Sequence, residues 1–503
     1  MKIAVINLPA LRPTMPLYSI GVVSEIIKKN NAECSVFDLN LEFWDKLWSD
    51  SFDSRTLIMP KVMKDEMNIN HARESIKKTI ANDEYSSAAK VVTCYSHLYE
   101  QFYNVRIRFG IVDFPEEVYK EENILRFCSS NNIYRHFFSL SNHDFAQFDL
   151  IATPILCRGQ LIAACTFAYW VNLTKPVKVI LGGSYVNRFF RQFESATYKK
   201  LFSHVVIGRG ETTIPYLLDK LSNDSHLDFL IDEKTMKGNL FLWKSPEFNT
   251  YYDGIDFNNY YNSKPVMPIM SSTSCYYNKC RFCDNSYGKK YTKEAALSGK
   301  DIFENMKKIE EQTGIRRFFF IDDCLSPSIV REFCMSIIRE KKKFNWYANL
   351  RFSQQTSDWD FVKTMSESGC KLIFLGLESY SQKELARMNK GIKKEWILPT
   401  IKNMKSCNIN VHISIMAGFP GQTKSDYLST KDFLFKYINL IDFVDVNIFK
   451  DTPHCNVYRT RSKADNDQKT LISKRFEELA SWVYKNNKAP SLLKKNQIIN
   501  GFA

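Results

Sequence analysis

Short apolar runs alternate with helical patterns along the first 210 residues or so of the chain. Five runs predict strands: KIAVINL, ECSVFDL, FDLIATPI, VKVILGG and HVVIGRG. After the first run, Leu17, Ile20, Val23 and Ile27 recur at helical spacing and predict an amphipathic helix. This alternation is typical of a parallel, doubly wound sheet, which binds its ligands at the carboxyl ends of its strands.

One connection in this series is much longer than a sheet requires. Residues 41–147 separate the second and third predicted strands, where a crossover of about a dozen residues would suffice. The stretch contains EFWDKLW, YSHLYEQFY and YRHFF, whose aromatic side chains must pack on each other, on the sheet or on a ligand. It predicts a mainly helical insertion beside the mouth of the following domain, as a structural cover or as a recognition element.

A second alternating series begins near residue 265. Its strands are VMPIMSS, IRRFFFID, NWYANLR, KLIFLGLE, NVHISIMAG and DFVDVNIF, with amphipathic helices between them. Six such units predict a partial (β/α)6 barrel of the TIM type. The predicted organisation is a Rossmann-like domain (1–222), a linker (223–264), the barrel (265–454) and a Lys-rich helical tail (455–503).

Composition and charge narrow the class of protein. Apolar residues make up 44% of the 503 residues, which predicts a globular α/β protein. The net charge of +14 is spread thinly, so we expect a solvated basic surface and no nucleic-acid partner. No apolar run reaches the roughly 18 residues of a membrane span, and 13 scattered cysteines favour a reduced, cytoplasmic protein.

The segment SSTSCYYNKCRFCDN holds three cysteines, Cys275, Cys280 and Cys283, directly after the first barrel strand. Three clustered thiolates suit zinc or an iron–sulfur cluster. Structural zinc requires a fourth ligand, which Cys324 could supply, and the chain would then be a zinc-stabilised binding protein. A 4Fe–4S cluster held by three thiolates leaves one iron open for a substrate or cofactor.

With the motifs that follow it, this segment resembles the radical S-adenosylmethionine (SAM) superfamily. The matching pieces are FFFIDDCLSP, NLRFS, FLGLESYSQKELARMNKG and IMAGFPGQT, in barrel order between about Pro265 and Pro453. Two departures stand out: the spacing is C-x4-C-x2-C where C-x3-C-x2-C is usual, and Gln422 replaces the usual Glu. The resemblance implies a 4Fe–4S cluster on the three cysteines and SAM chelating the open iron.

The resemblance also implies which residues surround SAM. Phe282 matches the aromatic residue before the last cysteine. The other positions carried over as SAM-binding are Asp323, Arg351, Glu378 and Gly418. Asp322 is an alternative to Asp323, both being open to an ordinary helix-capping or solvated role, and Arg351 is open to a role in an interior ion pair.

The first domain resembles the cobalamin-binding domain that precedes the barrel in many members of this superfamily. The matching pieces are NLPALRPTMPLYSIGVVSEIIKK, VILGGSYVN and VVIGRGETTIPYLL. The positions carried over as cobalamin-binding are Gly182, Gly183, Ser184, Gly208, Gly210, Glu211 and Thr212. The D-x-H-x-x-G motif is absent, so cobalamin would bind without a His ligand from that loop, or the domain is degenerate.

Taken together, the resemblance implies a cobalamin-dependent radical SAM enzyme. Such an enzyme methylates an unactivated carbon, here of a peptide or small natural product, through a 5′-deoxyadenosyl radical and methylcobalamin. It needs an external electron donor such as flavodoxin or ferredoxin. The alternative within the superfamily is a degenerate cobalamin domain and non-methylating radical chemistry, such as epimerisation, cross-linking or rearrangement.

Overall fold

The computed structural model describes most of the chain as two compact units. The described residues are 1–47, 52, 99–108, 110–174, 176–232, 252–262, 264–283, 296–449, 455, 477–481 and 483. The units are Met1–Pro265 and Val266–Ala503. Most of the predicted tail and residues 53–98 of the predicted insertion lie outside the described residues. None of the described helices combines the length and apolar character that crossing a membrane requires.

The first unit is built on a parallel six-stranded sheet in the order β2-β1-β5-β6-β7-β8. Its strands are β1 (Lys2–Asn7), β2 (Glu33–Asp38), β5 (Leu150–Pro154), β6 (Lys178–Gly182), β7 (His204–Val206) and β8 (Leu230–Ile231). From β1 the chain adds β2 on one side of the sheet and β5 to β8 on the other, so the strand order reverses between β1 and β5. These two strands pair in parallel, with Ile3 opposite Leu150. Doubly wound sheets bind ligands at such a point, outside the carboxyl ends of the strands.

Helices cover this sheet because its central strands β1, β5 and β6 are largely apolar on both faces; β5, for example, is buried along its whole length. The helices are α1 (Tyr18–Lys29), α2 (Leu39–Leu47), α3 (Glu121–Ser129), α4 (Ile133–Ser139), α5 (Arg158–Thr174), α6 (Ser184–Phe189), α7 (Ala196–Leu201) and α8 (Gly210–Ser222). The five predicted strands and the Rossmann-like class are confirmed.

Two features of the first unit were not expected from the sequence. The segment expected to be a linker contributes the edge strand β8, and its Tyr260 and Tyr261 pack in the core of the unit. The insertion, expected to be mainly helical, also contains an antiparallel hairpin of β3 (Arg106–Arg108) and β4 (Ile111–Asp113). Strands of two or three residues are too short to produce a recognisable alternation.

The aromatic residues of the insertion pack largely on one another, as expected of side chains too apolar to leave in water. Phe43 on α2 meets Phe137 on α4 and Phe52 edge-on, with ring centroids 5.3 and 6.4 Å apart. Trp44 and Tyr134 are fully buried in the same cluster. The placement of the insertion beside the barrel mouth stays a prediction.

The second unit is a parallel six-stranded sheet whose strands lie in chain order, from β9 at one edge to β14 at the other. The strands are β9 (Met267–Ile269), β10 (Arg317–Phe320), β11 (Asn345–Leu350), β12 (Cys370–Glu378), β13 (Asn410–Ala417) and β14 (Phe443–Ile448). The helices are α9 (Gly299–Thr313), α10 (Pro327–Arg339), α11 (Trp359–Glu367), α12 (Gln382–Arg387), α13 (Lys394–Ser406) and α14 (Lys424–Tyr437). The predicted partial (β/α)6 barrel is confirmed.

Candidate cluster and cofactor sites

The cysteine loop, residues 270–283, begins directly after β9 at the carboxyl end of the barrel sheet. Asp322, just after β10, is buried and accepts hydrogen bonds of 2.9 Å from the backbone N–H groups of Ser271 and Ser272. Burial raises the pKa of Asp322 to about 6, against the effect of these hydrogen bonds. Asp322 therefore anchors the start of the loop, whereas its neighbour Asp323 is exposed.

The three predicted cluster ligands, Cys275, Cys280 and Cys283, are half-buried and form no disulfide. Cys324, the proposed fourth zinc ligand, is buried and hydrogen-bonded to Cys275, and this bond lowers the pKa of Cys275 to about 6. Within the described part of the chain, no three Cys, His, Asp or Glu side chains converge to hold a single metal ion. Zinc takes four ligands in one tetrahedral sphere, whereas a 4Fe–4S cluster distributes its thiolates over separate irons. Three cysteines on one loop supply the thiolates for a cluster with one open iron.

A tight turn after α12, residues 388–391, holds the cysteine loop in place, and we call this turn the clasp. Its backbone and one side chain bind the loop through three hydrogen bonds. These are Arg281 N–H to Met388 O (2.9 Å), Asn389 Nδ2 to Lys279 O (2.8 Å) and Tyr277 hydroxyl to Asn389 O (2.9 Å). Asn389 (φ +52°) and Gly391 (φ +63°) are left-handed. Because α12 ends at Arg387, Gly391 belongs to the clasp and does not cap the helix.

Replacing Gly391 by alanine is expected to displace the cysteine loop. A Cβ at this position would lie 2.3 Å from the Tyr277 hydroxyl oxygen, in addition to the left-handed strain. Gly314 (φ +71°) is the matched control, because nothing lies within 4 Å of its added Cβ. Gly314→Ala should lower the free energy of unfolding by about 1–2 kcal/mol and leave iron binding intact. Gly391→Ala should also reduce bound iron several-fold, and equal iron contents in the two reconstituted variants would contradict this role.

Glu378 ends β12 in a left-handed conformation (φ +64°) and forms a buried ion pair with the clasp. Its Oε1 accepts from Lys390 Nζ at 3.0 Å, and its Oε2 accepts from the Ser414 hydroxyl at 3.4 Å. Both charged side chains are only 9% exposed. Glu378 therefore lies beside the cysteine loop, held by a lysine that the motif analysis had not singled out.

Arg351, just after β11, faces the cysteine loop. Its guanidinium lies 3.4 Å from the centroid of the Tyr277 ring, and it donates to the backbone carbonyl of Lys390. The Phe282 ring lies 5.1 Å from Lys390 Nζ. The structure thus brings the predicted residues Phe282, Arg351 and Glu378 together around the clasp. In the sequence, the feature that could have drawn attention to Lys390 is its position between Asn389 and Gly391, two residue types that readily adopt a left-handed conformation.

Gly418 follows β13, and its loop is closed by Gln422, which occupies the position where Glu is usual. Its backbone N–H donates to Gln422 Oε1 at 3.1 Å, while Gln422 Nε2 donates to Glu384 Oε1 at 3.0 Å. Glu384 is buried, which raises its pKa to about 7. An amide can donate to this carboxyl group, whereas a glutamate at position 422 would repel it. The buried carboxyl group of Glu384 therefore explains why an amide side chain suits position 422.

The glycine edge of the first unit lies at the carboxyl ends of β6 and β7. Gly183 (φ +101°) packs on the backbone of Ile155, whose oxygen would lie 2.3 Å from an added Cβ. At Gly182 an added Cβ would meet nothing nearer than 3.5 Å, so the protein leaves space there. Asn187 exchanges hydrogen bonds of 2.8 and 3.1 Å with the backbone of Gly208 and so joins the two loops. Sequence analysis missed Asn187 because its partner is distant in sequence.

The remaining predicted residues of this edge lie at two helix starts. Ser184 begins α6 and is exposed, while Gly210 begins α8. Glu211 and Thr212 are buried in the first turn of α8, and the Thr212 hydroxyl donates to Arg209 O at 2.9 Å. The β1–α1 loop contains no histidine. An open, glycine-lined edge fits a large cofactor that receives no imidazole from this loop.

Residues 269–434 match the family model of the radical SAM superfamily. The matched range contains the cysteine loop, the clasp and the Gly418 loop, which are the features that the structure assembles at one end of the barrel. The second unit therefore contains a radical SAM domain. Such a domain implies a 4Fe–4S cluster and SAM as its cofactors.

Comparison with individual proteins extends the likeness to both units. An uncharacterized methyltransferase of Pyrococcus horikoshii, PH0819, is 25% identical over 279 residues, which are 53% of this chain and 59% of that protein's length. The radical SAM methyltransferase TsrM of Kitasatospora setae, solved with cobalamin and a 4Fe–4S cluster, superimposes with a TM-score of 0.59 at 11% identity over 91% of this chain and 77% of its own. The cobalamin-dependent enzyme OxsB superimposes with a TM-score of 0.52 at 14% identity over 95% of this chain and 56% of its own. These structures share the fold of this protein.

Proposed function

We propose that this protein is a cobalamin-dependent radical SAM enzyme that methylates an unactivated carbon of a peptide or small natural product. The observation that carries the proposal is the cysteine loop held by the clasp in a radical SAM domain, in a chain whose first unit is a sheet with a glycine-lined edge. The likeness to PH0819, TsrM and OxsB supports methyl transfer and cobalamin binding.

Cys275, Cys280 and Cys283 would hold the cluster. Glu378 and Arg351 would orient SAM, with a carboxylate suited to its hydroxyl or amino groups and a guanidinium suited to its carboxylate. Phe282, Gly418 and Asp323 would complete the surroundings of SAM. When bound, the cluster supplies the electron that cleaves SAM, and cobalamin carries a transferable methyl group.

The glycine edge of the first unit would receive cobalamin. An added Cβ at Gly182 would meet nothing nearer than 3.5 Å, so a ligand could approach the backbone there, because glycine has no Cβ. Gly208, whose backbone is held by Asn187, would border the same site. Gly210, Glu211 and Thr212 would present the N-terminus of α8, where backbone N–H groups favour the phosphate of a nucleotide tail. Ser184 and Gly183 would border the same site.

Anaerobic reconstitution tests the proposal. We expect about four iron and four sulfide per chain, one bound cobalamin, and 5′-deoxyadenosine formed from SAM when a strong reductant or reduced flavodoxin is supplied. A complete cluster without SAM turnover would refute the enzymatic proposal. A cluster with turnover but no cobalamin would favour non-methylating radical chemistry. Zinc without iron would favour the zinc-stabilised binding protein.

The substrate class and the cytoplasmic location remain predictions. Mass spectrometry of candidate peptides and metabolites incubated with the reconstituted enzyme and methyl-labelled SAM tests the first. A mass increase of one methyl group supports methylation, whereas an unchanged mass with altered chromatography supports epimerisation.

A further inference from the structure

The clasp places a buried lysine, Lys390, against the cysteine loop. Lys390 is 7% exposed, and its main chain belongs to the clasp. Because the clasp binds the cysteine loop on both sides of Cys280, the position of the ammonium is fixed relative to that thiol. Phe282, immediately before Cys283, lies against the same ammonium.

Burying this charge requires compensation, which Glu378 provides. A buried ion pair contributes little net stability compared with well-packed apolar side chains, so stability alone gives no reason for a lysine here. The two charges also face different parts of the structure. The ammonium lies 5.1 Å from the centroid of the Phe282 ring on the cysteine loop, whereas the Glu378 carboxylate accepts from Ser414 on β13. The ammonium is therefore the member of the pair that faces the loop.

We propose that Lys390 is a positioning residue that raises the reduction potential of the cluster, with Glu378 as the counter-charge that limits the effect. The inference rests on the proposed function, because it requires a cluster on the three cysteines. Reduction transfers one electron from an external one-electron donor to the cluster and adds one negative charge. A fixed cation in a buried, weakly screening environment stabilises that added charge.

The geometry predicts opposite shifts for the two partners. Lys390→Met removes the cation and leaves Glu378 unbalanced, so the midpoint potential should fall. Glu378→Gln leaves the cation unbalanced, so the potential should rise. The double variant should return close to the wild-type value, and Lys390→Arg should preserve it. A merely structural role would not produce shifts of opposite sign.

A redox titration monitored by electron paramagnetic resonance measures these potentials in reconstituted full-length protein. We expect each single variant to change the equilibrium constant for reduction about tenfold, or 59 mV for one electron. Lys405→Met is the matched control, since Lys405 pairs with Asp442 at 2.7 Å at the start of β14, the opposite end of the strands. Its potential should not change.

Iron and sulfide contents are measured first, because they distinguish a failure of the proposed function from a failure of the proposed role of Lys390. A wild-type protein without a cluster refutes the proposed function. A wild-type protein with a cluster, together with single variants whose potentials are unchanged or shifted in the same direction, overturns only the role of Lys390. If Lys390→Met binds no cluster, the sign of the Glu378→Gln shift decides: an increase supports the inference, and no increase overturns it.

Discussion

Alanine at any one of Cys275, Cys280 or Cys283 is expected to remove most of the bound iron and to abolish SAM cleavage. Each thiolate would hold one iron of the cluster, and loss of a ligand exposes that iron to solvent and exchange. The barrel should remain folded, because the three side chains are half-buried on a loop and are not part of the barrel core. Iron and sulfide content, visible absorption and circular dichroism of the reconstituted variants measure both outcomes.

Cys324 provides the matched control for this experiment. It is buried and hydrogen-bonded to Cys275, yet the cluster proposal assigns it no ligand role. Cys324→Ala should therefore retain iron and lose only about 1 kcal/mol of folding stability from the small cavity. If Cys324→Ala instead lost its metal as completely as the other three variants, and that metal were zinc, the four-thiol zinc alternative would be correct.

Gly183→Ala is expected to destabilise the first unit by about 3 kcal/mol. The residue must adopt φ +101°, and its new Cβ would lie 2.3 Å from the Ile155 oxygen and 2.6 Å from the Ile155 nitrogen. Neither atom can rotate away, because both belong to the backbone; the nitrogen also donates to Gly182 O at 2.8 Å. Urea or thermal unfolding monitored by circular dichroism measures the loss.

Gly182→Ala is the control for Gly183→Ala and also the better probe of cobalamin. Its Cβ would make ordinary contacts with Val206 at 3.5–3.6 Å, so the change in stability should stay below about 1 kcal/mol. From the sequence, bulky residues at either glycine are expected to block cofactor loading. The structure restricts a selective test to Gly182, where Gly182→Leu should lower cobalamin content while the fold survives. Equal cobalamin content in Gly182→Leu and wild type would refute this placement of the cofactor.

The sequence by itself determined the elements and their order. A run such as VKVILGG predicts a strand because burial of both faces requires nearly continuous apolar residues. The motif residues Phe282, Arg351 and Glu378 could also be identified from the sequence, since each lies at or just after the end of a recognisable strand or next to a cysteine. The carboxyl ends of parallel strands meet at one edge of the sheet, so the topology alone predicts that these residues lie near one another.

Only the tertiary structure showed which of the loop residues contact other parts of the backbone and the cysteine loop. Asp322 binds the backbone of the cysteine loop, Gly183 accommodates Ile155, and Gly391 accommodates Tyr277. Each partner is distant in sequence, and its approach depends on the exact path of two loops, which no local periodicity encodes. Lys390 is the clearest example of a residue whose surroundings the sequence does not indicate. In the sequence it is one of many lysines of a basic chain, and only burial against Glu378 and Phe282 distinguishes it from the solvated ones.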